Sequence, residues 1–222
     1  MRFLLALSAL LLLAAAAPRQ GLDWTTQAQP TATGYLIGNP NARVKLVEYG
    51  SYTCSHCAAF ANESEAELKG RMIRTGSISL EYRHFFFNAL DLGVAVLARC
   101  TGPRRFAATT AFIYRTQDDW LARGQQFQET NGARLNMYLP IARLRALVDG
   151  SGLTAAVVAR GLTPAAVDAC FADQAAIDRL TAGMNALPAG VTGTPTFFLN
   201  GRLIAHVTWA DLAPQLRAAL AR

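Results

Sequence analysis

The segment that most constrains the fold of this chain is Cys54-Ser55-His56-Cys57, a Cys-x-x-Cys sequence between a strand-like run and a helical run. Residues 42–49 are rich in bulky and β-branched apolar side chains, which predicts a strand. Apolar residues recur mostly every three or four positions over 58–73, which predicts a helix. Two thiols at this spacing can close a disulfide within one turn. The positive end of a helix favours thiolate over thiol.

The order of the remaining elements predicts an α/β fold. Residues 78–87 alternate between apolar and polar side chains, so the first half is strand, helix, strand, with the two strands parallel. Residues 89–187 are helical almost throughout. The chain then returns to β structure at 196–199, and Asn200-Gly201 is a strong signal for a tight hairpin. A second strand over 202–207 and an amphipathic helix over 209–221 complete the chain.

The N-terminal residues indicate export. Arg2 precedes an apolar run over 3–13, and the small residues at 14–17 suit a cleavage site, so 1–17 is interpreted as a secretory signal peptide. The alternative is a membrane anchor, but the run of about 15 apolar residues is shorter than the roughly 20 needed to cross a bilayer. Residues 18–34 are small and polar, and we interpret them as an extended lead-in without a core of its own.

The charge pattern argues against nucleic acid as a partner. The formal net charge is +6, but the basic residues are scattered, nearly all are arginine, and no Lys/Arg run forms a phosphate-tracking patch.

The four cysteines form two predicted pairs in an oxidising compartment. Cys54 pairs with Cys57, which leaves Cys100 with Cys170, near the ends of the helical region. A second redox pair is one interpretation of Cys100 and Cys170. We favour a structural disulfide, which would close a loop of about 70 residues and stabilise by about 4 kcal/mol. A zinc site is not expected, because His56, His84 and His206 show no ligand spacing with the cysteines.

Two motifs carry a resemblance to a known family. Val47-Glu48-Tyr49 leads into the Cys-x-x-Cys, and residues 190–198 read Gly-Val-Thr-Gly-Thr-Pro-Thr-Phe-Phe. In this order and at this separation, they resemble the DsbA-like thiol:disulfide oxidoreductases of the thioredoxin superfamily. The resemblance implies a thioredoxin fold, a central mixed sheet flanked by helices, with an inserted all-helical subdomain. Its first part would span 35–102, the insertion 103–185 and the second part 186–222.

The resemblance also implies roles for the site residues. Cys54 would be the exposed nucleophile, with a depressed pKa favoured by His56, and Cys57 would be the buried resolving cysteine. Ser55 replaces the proline often found between such cysteines, so the redox potential does not follow from the resemblance. Glu48 matches a partly buried acid that could relay the proton of Cys57; the alternative is a solvent-facing or strand-edge glutamate.

The second motif is expected to contact substrates. Thr194-Pro195 resembles the cis-proline loop that faces the cysteine pair. Such a loop leaves the Thr194 amide and carbonyl free to pair with an extended substrate chain.

The function implied is that of an exported, periplasmic disulfide oxidase. It would donate the Cys54–Cys57 disulfide to reduced or misoxidised secreted proteins and be reoxidised by a membrane quinone-linked thiol oxidase. We expect a monomer with no further cofactor. Two alternatives stay open: a disulfide isomerase or reductase kept reduced, and a non-enzymatic metal- or client-binding module.

Overall fold

The structure, a computed structural model, describes residues 22–205 and 208–222. The predicted signal peptide over 1–17 and His206 lie outside these residues.

A mixed sheet forms the centre of the described part of the chain. Its strand order is β1-β2-β4-β3-β5-β6. Only the β3–β4 pair is parallel in this sheet, and the other neighbours are antiparallel. The strands are β1 (Ala28–Pro30), β2 (Gly34–Gly38), β3 (Val44–Gly50), β4 (Ile78–His84), β5 (Thr196–Leu199) and β6 (Arg202–Ala205).

Helices occupy the connections between these strands. A crossover made of α1 and a π-helical segment, Glu65–Ile73, joins the parallel strands β3 and β4, and the helices α2 to α8 separate β4 from β5. The helices are α1 (Ser55–Ser64), α2 (Ala89–Cys100), α3 (Pro103–Arg115), α4 (Gln117–Leu135), α5 (Pro140–Gly150), α6 (Leu153–Val158), α7 (Pro164–Ala172), α8 (Gln174–Asn185) and α9 (Trp209–Ala221). The predicted fold class, a mixed sheet flanked by helices with a helical insertion, is confirmed.

Aromatic packing fixes α1 against the sheet. Phe60 of α1 lies with its ring 4.5 Å from that of Phe197 on β5 and 5.9 Å from that of Trp209 at the start of α9. Phe60 and Phe197 are both buried. Because Phe60 lies only three residues after Cys57, this packing also fixes the first turn of α1.

The sheet has two N-terminal strands that the sequence analysis did not predict. β1 pairs with β2, and β2 pairs along the outer edge of β4. Gly34 is required there, since a Cβ atom would lie 1.8 Å from the Tyr82 carbonyl oxygen. Pro30 and Gly34 interrupt the pattern of alternating residues, and therefore the lead-in gave no strand signal.

Several predicted elements are shorter or divided. The helical region expected over 89–187 is divided into separate helices, with breaks that include Thr116 and Asp173; the Asp173 side chain accepts the Ala176 amide and starts α8. The strand expected over 78–87 ends at His84, and Phe87 is 56% exposed.

Candidate active site

The two cysteines of the Cys-x-x-Cys sequence differ in exposure. β3 ends at Gly50, and a short loop leads to Cys54, the N-cap of α1. Cys54 is partly exposed, whereas Cys57, in the first turn of the helix, is fully buried. Both are free thiols in the structure. An incoming reagent therefore meets Cys54 first.

The surroundings of Cys54 stabilise its thiolate. They lower its pKa from 9.0 to about 5. The largest cause is a hydrogen bond from the Cys57 thiol, followed among the favourable contacts by the Thr194 side chain and the backbone amides of Cys57 and His56. Partial burial opposes these contacts but does not outweigh them. Cys54 is therefore ionised at neutral pH.

Cys57 has the opposite tendency. Burial raises its pKa well above the ordinary 9.0, and its hydrogen bond to Cys54 and the negative charge of Glu48 raise it further. Cys57 therefore stays protonated, and its thiol donates a hydrogen bond to the Cys54 sulfur. The pair is divided into one acidic, accessible sulfur and one protonated, buried sulfur.

Glu48 lies beneath the cysteine pair and not in solvent. It is 4% exposed, at the centre of β3, and its Oε1 atom has no hydrogen-bond partner among the described residues. The pKa of Glu48 is raised from 4.5 to about 8, mainly by burial and also by the negative charge of a Cys54 thiolate, while Lys69 opposes the rise. A carboxyl with this pKa can exchange a proton near neutral pH.

The second motif faces Cys54 directly. The Thr194–Pro195 peptide bond is cis. The Cys54 sulfur lies 3.5 Å from the Thr194 carbonyl oxygen, to which Cys54 donates when it is protonated. The Thr194 hydroxyl is buried and has no other partner among the described residues, so a thiolate on Cys54 supplies its acceptor. Strand β5 fixes this loop through its pairing with β3.

Ser55 and His56 are both exposed on the first turn of α1. His56 borders a cavity of about 230 Å³ beside the cysteine pair. The other residues that line it are Ala59, Phe60, Glu63, Thr194, Pro195, Thr208 and Trp209. The cavity places an apolar recess next to the Thr194 backbone.

Two residues of the site gave no signal in the sequence. Asp91 of α2 accepts hydrogen bonds from the Tyr52 amide and from the Ser51 and Thr53 hydroxyls. Gln117 of α4 donates to the Tyr52 and Cys54 carbonyl oxygens. Both lie in the helical region, far along the chain from the loop they hold, and an acid or an amide in a helix is ordinarily a solvated residue.

Cys100 and Cys170 form a disulfide between the end of α2 and α7, with their Cα atoms 5.7 Å apart. Asp91, which contacts the cysteine loop, is nine residues before Cys100 on α2. The disulfide therefore lies about 13 Å along that helix from the site.

The residues that the structure describes contain no cluster of three or more His, Cys, Asp or Glu side chains arranged to hold a metal ion. None of their helices combines the length and the apolar character needed to cross a bilayer.

Comparison with known proteins identifies the family. A family model described as thioredoxin matches residues 30–218. The chain belongs to the thioredoxin family. A crystal structure of a protein-disulfide isomerase from Novosphingobium aromaticivorans is 33% identical and superposes with a TM-score of 0.78, over 86% of this chain and 100% of that one. The resemblance to DsbA-like thiol:disulfide oxidoreductases is thereby confirmed.

Two further relatives agree with this family. The alpha-DsbA1 of Wolbachia pipientis is 21% identical and shares the fold, with a TM-score of 0.67 over 86% of this chain and 93% of its own. A curated protein of Rickettsia bellii, provisionally named a protein-disulfide oxidoreductase, is 30% identical over 169 residues, which are 75% of this chain and 56% of the Rickettsia protein. The chain thus spans about half the length of that curated relative.

Proposed function

We propose that this protein is an exported disulfide oxidase that donates the Cys54–Cys57 disulfide to folding proteins. The observation that carries the proposal is the opposite pKa shift of the two cysteines, about 5 for Cys54 and well above 9.0 for Cys57. A site that stabilises its reduced form as a thiolate has a more oxidising disulfide. Oxidation of substrate thiols is therefore the favoured direction.

The reaction starts from the oxidised pair. A substrate thiolate attacks the Cys54 sulfur, the Cys54–Cys57 bond breaks, and Cys57 leaves as a thiolate that takes up a proton. A second substrate thiolate then attacks the substrate sulfur of the mixed disulfide and releases Cys54 as a thiolate. The substrate loses two electrons and gains a disulfide, and the protein ends as the dithiol seen in the structure.

Glu48 is proposed to supply the proton that Cys57 takes up. Its burial, its pKa of about 8 and its electrostatic effect on Cys57 support this role. In the reverse direction, when the reduced pair is reoxidised, the same carboxylate would accept the Cys57 proton.

Thr194 and the neighbouring cavity are proposed to bind the substrate chain. The Thr194 carbonyl oxygen lies beside the Cys54 sulfur, so a strand of substrate paired with this backbone would bring its cysteine to Cys54. An apolar side chain of the substrate would then fill the recess bordered by His56 and Trp209.

The remaining parts of the proposal concern location and partners. The predicted signal peptide supports export to the periplasm, where the substrates would be reduced or misoxidised secreted proteins. The family resemblance supports a membrane quinone-linked thiol oxidase as the acceptor of the two electrons. The protein is proposed to act as a monomer.

Isomerisation is the second candidate, and a specific observation favours it. The Novosphingobium relative, which is 33% identical, is named a protein-disulfide isomerase. An isomerase would use the Cys54 thiolate of the reduced protein to attack wrong disulfides in its substrates.

Paired assays separate the two candidates. The oxidised protein is mixed with reduced ribonuclease A, and the reduced protein with scrambled ribonuclease A, and recovery of ribonuclease activity is followed. We expect faster recovery in the first assay, and no recovery with Cys54→Ala. Recovery only in the second assay would replace the oxidase assignment by an isomerase, and activity retained by Cys54→Ala would refute the site.

A further inference from the structure

The loop that carries Cys54 is held mainly by side chains of the helices between β4 and β5. On its amide side, Asp91 accepts the Tyr52 amide at 3.0 Å and the Ser51 and Thr53 hydroxyls at 2.5 and 3.1 Å. On its carbonyl side, Tyr114 donates to the Ser51 carbonyl oxygen at 3.2 Å. These helices therefore set the path of the chain into the active site.

Gln117 makes the contact nearest to the reacting sulfur. Its side-chain nitrogen donates to the Tyr52 carbonyl oxygen at 2.7 Å and to the Cys54 carbonyl oxygen at 2.9 Å. The residue is 3% exposed, and both protons of its amide nitrogen are used in this way. The two carbonyls flank Thr53, so a single side chain fixes the backbone on both sides of that residue.

The Cys54 carbonyl also begins the helix. It accepts the Ala58 amide at 3.1 Å, the first hydrogen bond of α1. The same oxygen therefore joins the helix start to Gln117. Since the Cys57 and His56 amides stabilise a Cys54 thiolate only while Cys54 stays at the N-cap, a side chain that holds this carbonyl also holds the sulfur in place.

We propose that Gln117 is a positioning residue, which keeps Cys54 at the N-cap of α1 with its sulfur directed at the amides of the first turn. Through this contact the helical insertion sets the acidity of the nucleophile, although it supplies no reacting group. The inference rests on the proposed function, in which the Cys54 sulfur forms the mixed disulfide with the substrate and is released as a thiolate.

The test is a titration of the Cys54 thiolate by ultraviolet absorbance in reduced protein. Gln117→Met keeps the length of the side chain and removes both donors. We expect the pKa of Cys54 to rise by about one pH unit, a tenfold change in the thiol–thiolate equilibrium. The control is Gln125→Met on the exposed face of the same helix, which should leave the Cys54 pKa unchanged.

A second variant keeps the test decisive if Gln117→Met does not fold. Gln117→Leu also removes both donors and introduces no charge, so the Cys54 pKa should rise by a similar amount. A Cys54 pKa that stays within about 0.2 of the wild-type value in the folded variant would overturn the proposal.

The stability of the two redox forms gives an independent readout. If Gln117 only supported the fold, its loss would destabilise the oxidised and reduced proteins equally, whereas a positioning role lowers the stability of the reduced form more. The two proposals can fail separately. If the wild-type protein does not oxidise substrates but Gln117→Met still raises the Cys54 pKa, the proposed function is refuted and this inference stands.

Discussion

Replacement of the buried Glu48 by glutamine should remove a pH dependence of folding stability. The folded-state pKa of Glu48 is about 8, against 4.5 for the ordinary side chain. Between these values the folded protein binds a proton that the unfolded chain has lost, so the free energy of unfolding falls as the pH rises from about 4.5 to about 8. Glutamine has the same shape and does not titrate.

The magnitude follows from the same values. Each pH unit within this window costs about 1.4 kcal/mol, and the window covers about 2.5 units below pH 7. The glutamate of the unfolded chain is half ionised at pH 4.5, which reduces this figure slightly. Between pH 4.5 and pH 7, the free energy of unfolding of Glu48→Gln should therefore rise by about 3 kcal/mol relative to that of wild type. The gain should be smaller in the oxidised protein, since the Cys54 thiolate that raises the Glu48 pKa is then absent.

Urea denaturation of both proteins, with reductant present, measures this difference at several pH values. The matched control is Glu129→Gln on the exposed side of α4, whose stability should follow that of wild type at every pH. Parallel curves for wild type and Glu48→Gln would refute the reasoning, because they would mean that Glu48 ionises alike in the folded and unfolded chains.

Three further predictions concern the cysteines. The Cys54 pKa is lowered from 9.0 to about 5 in the folded protein, so the reduced form should gain stability relative to the oxidised form as the pH rises from about 5 to about 9. Urea titrations of both forms measure this. A difference in the free energy of unfolding that stays constant with pH would contradict the prediction. Thr194→Val removes a hydroxyl that stabilises the Cys54 thiolate, so the Cys54 pKa should rise. Equilibration with glutathione should then give a less oxidising potential. The control Thr192→Val, at an exposed position, should change neither the pKa nor the potential. Replacement of Cys100 and Cys170 together by alanine opens a loop that spans 70 residues and should lower the free energy of unfolding by about 4 kcal/mol. The same double variant should keep the Cys54 pKa, and a changed pKa would show that the disulfide acts on the site.

The sequence was sufficient for those parts of the fold that depend on local patterns. The strand before Cys54, the helix after Cys57 and the Asn200-Gly201 hairpin follow from side-chain periodicity and turn chemistry. The strands β1 and β2 could not be predicted in this way, because their order comes from the pairing of β2 with β4 and of β1 with β2, and not from alternation. The strand over 78–87 was predicted too long, because the three consecutive phenylalanines at 85–87 do not show where the strand ends.

The residues of the candidate site also differ in whether local patterns could predict them. Cys54, Cys57 and Thr194-Pro195 belong to compact motifs and could be proposed from the sequence. The contacts of Asp91 and Gln117 join residues that are 39 and 65 positions apart, so they depend on how the helices between β4 and β5 pack. The burial of Glu48 was open for the same reason, because a glutamate in a strand is buried only if the face of the sheet from which it projects is covered.

The most direct test of the central claim is the pH titration of the Cys54 thiolate in the reduced protein, followed by ultraviolet absorbance with Cys54→Ser as the blank. The structure predicts a midpoint at about pH 5, since Cys57, Thr194 and the start of α1 all stabilise the thiolate. A midpoint near 9.0, the value of an ordinary cysteine, would contradict the account of an acidic, oxidising Cys54.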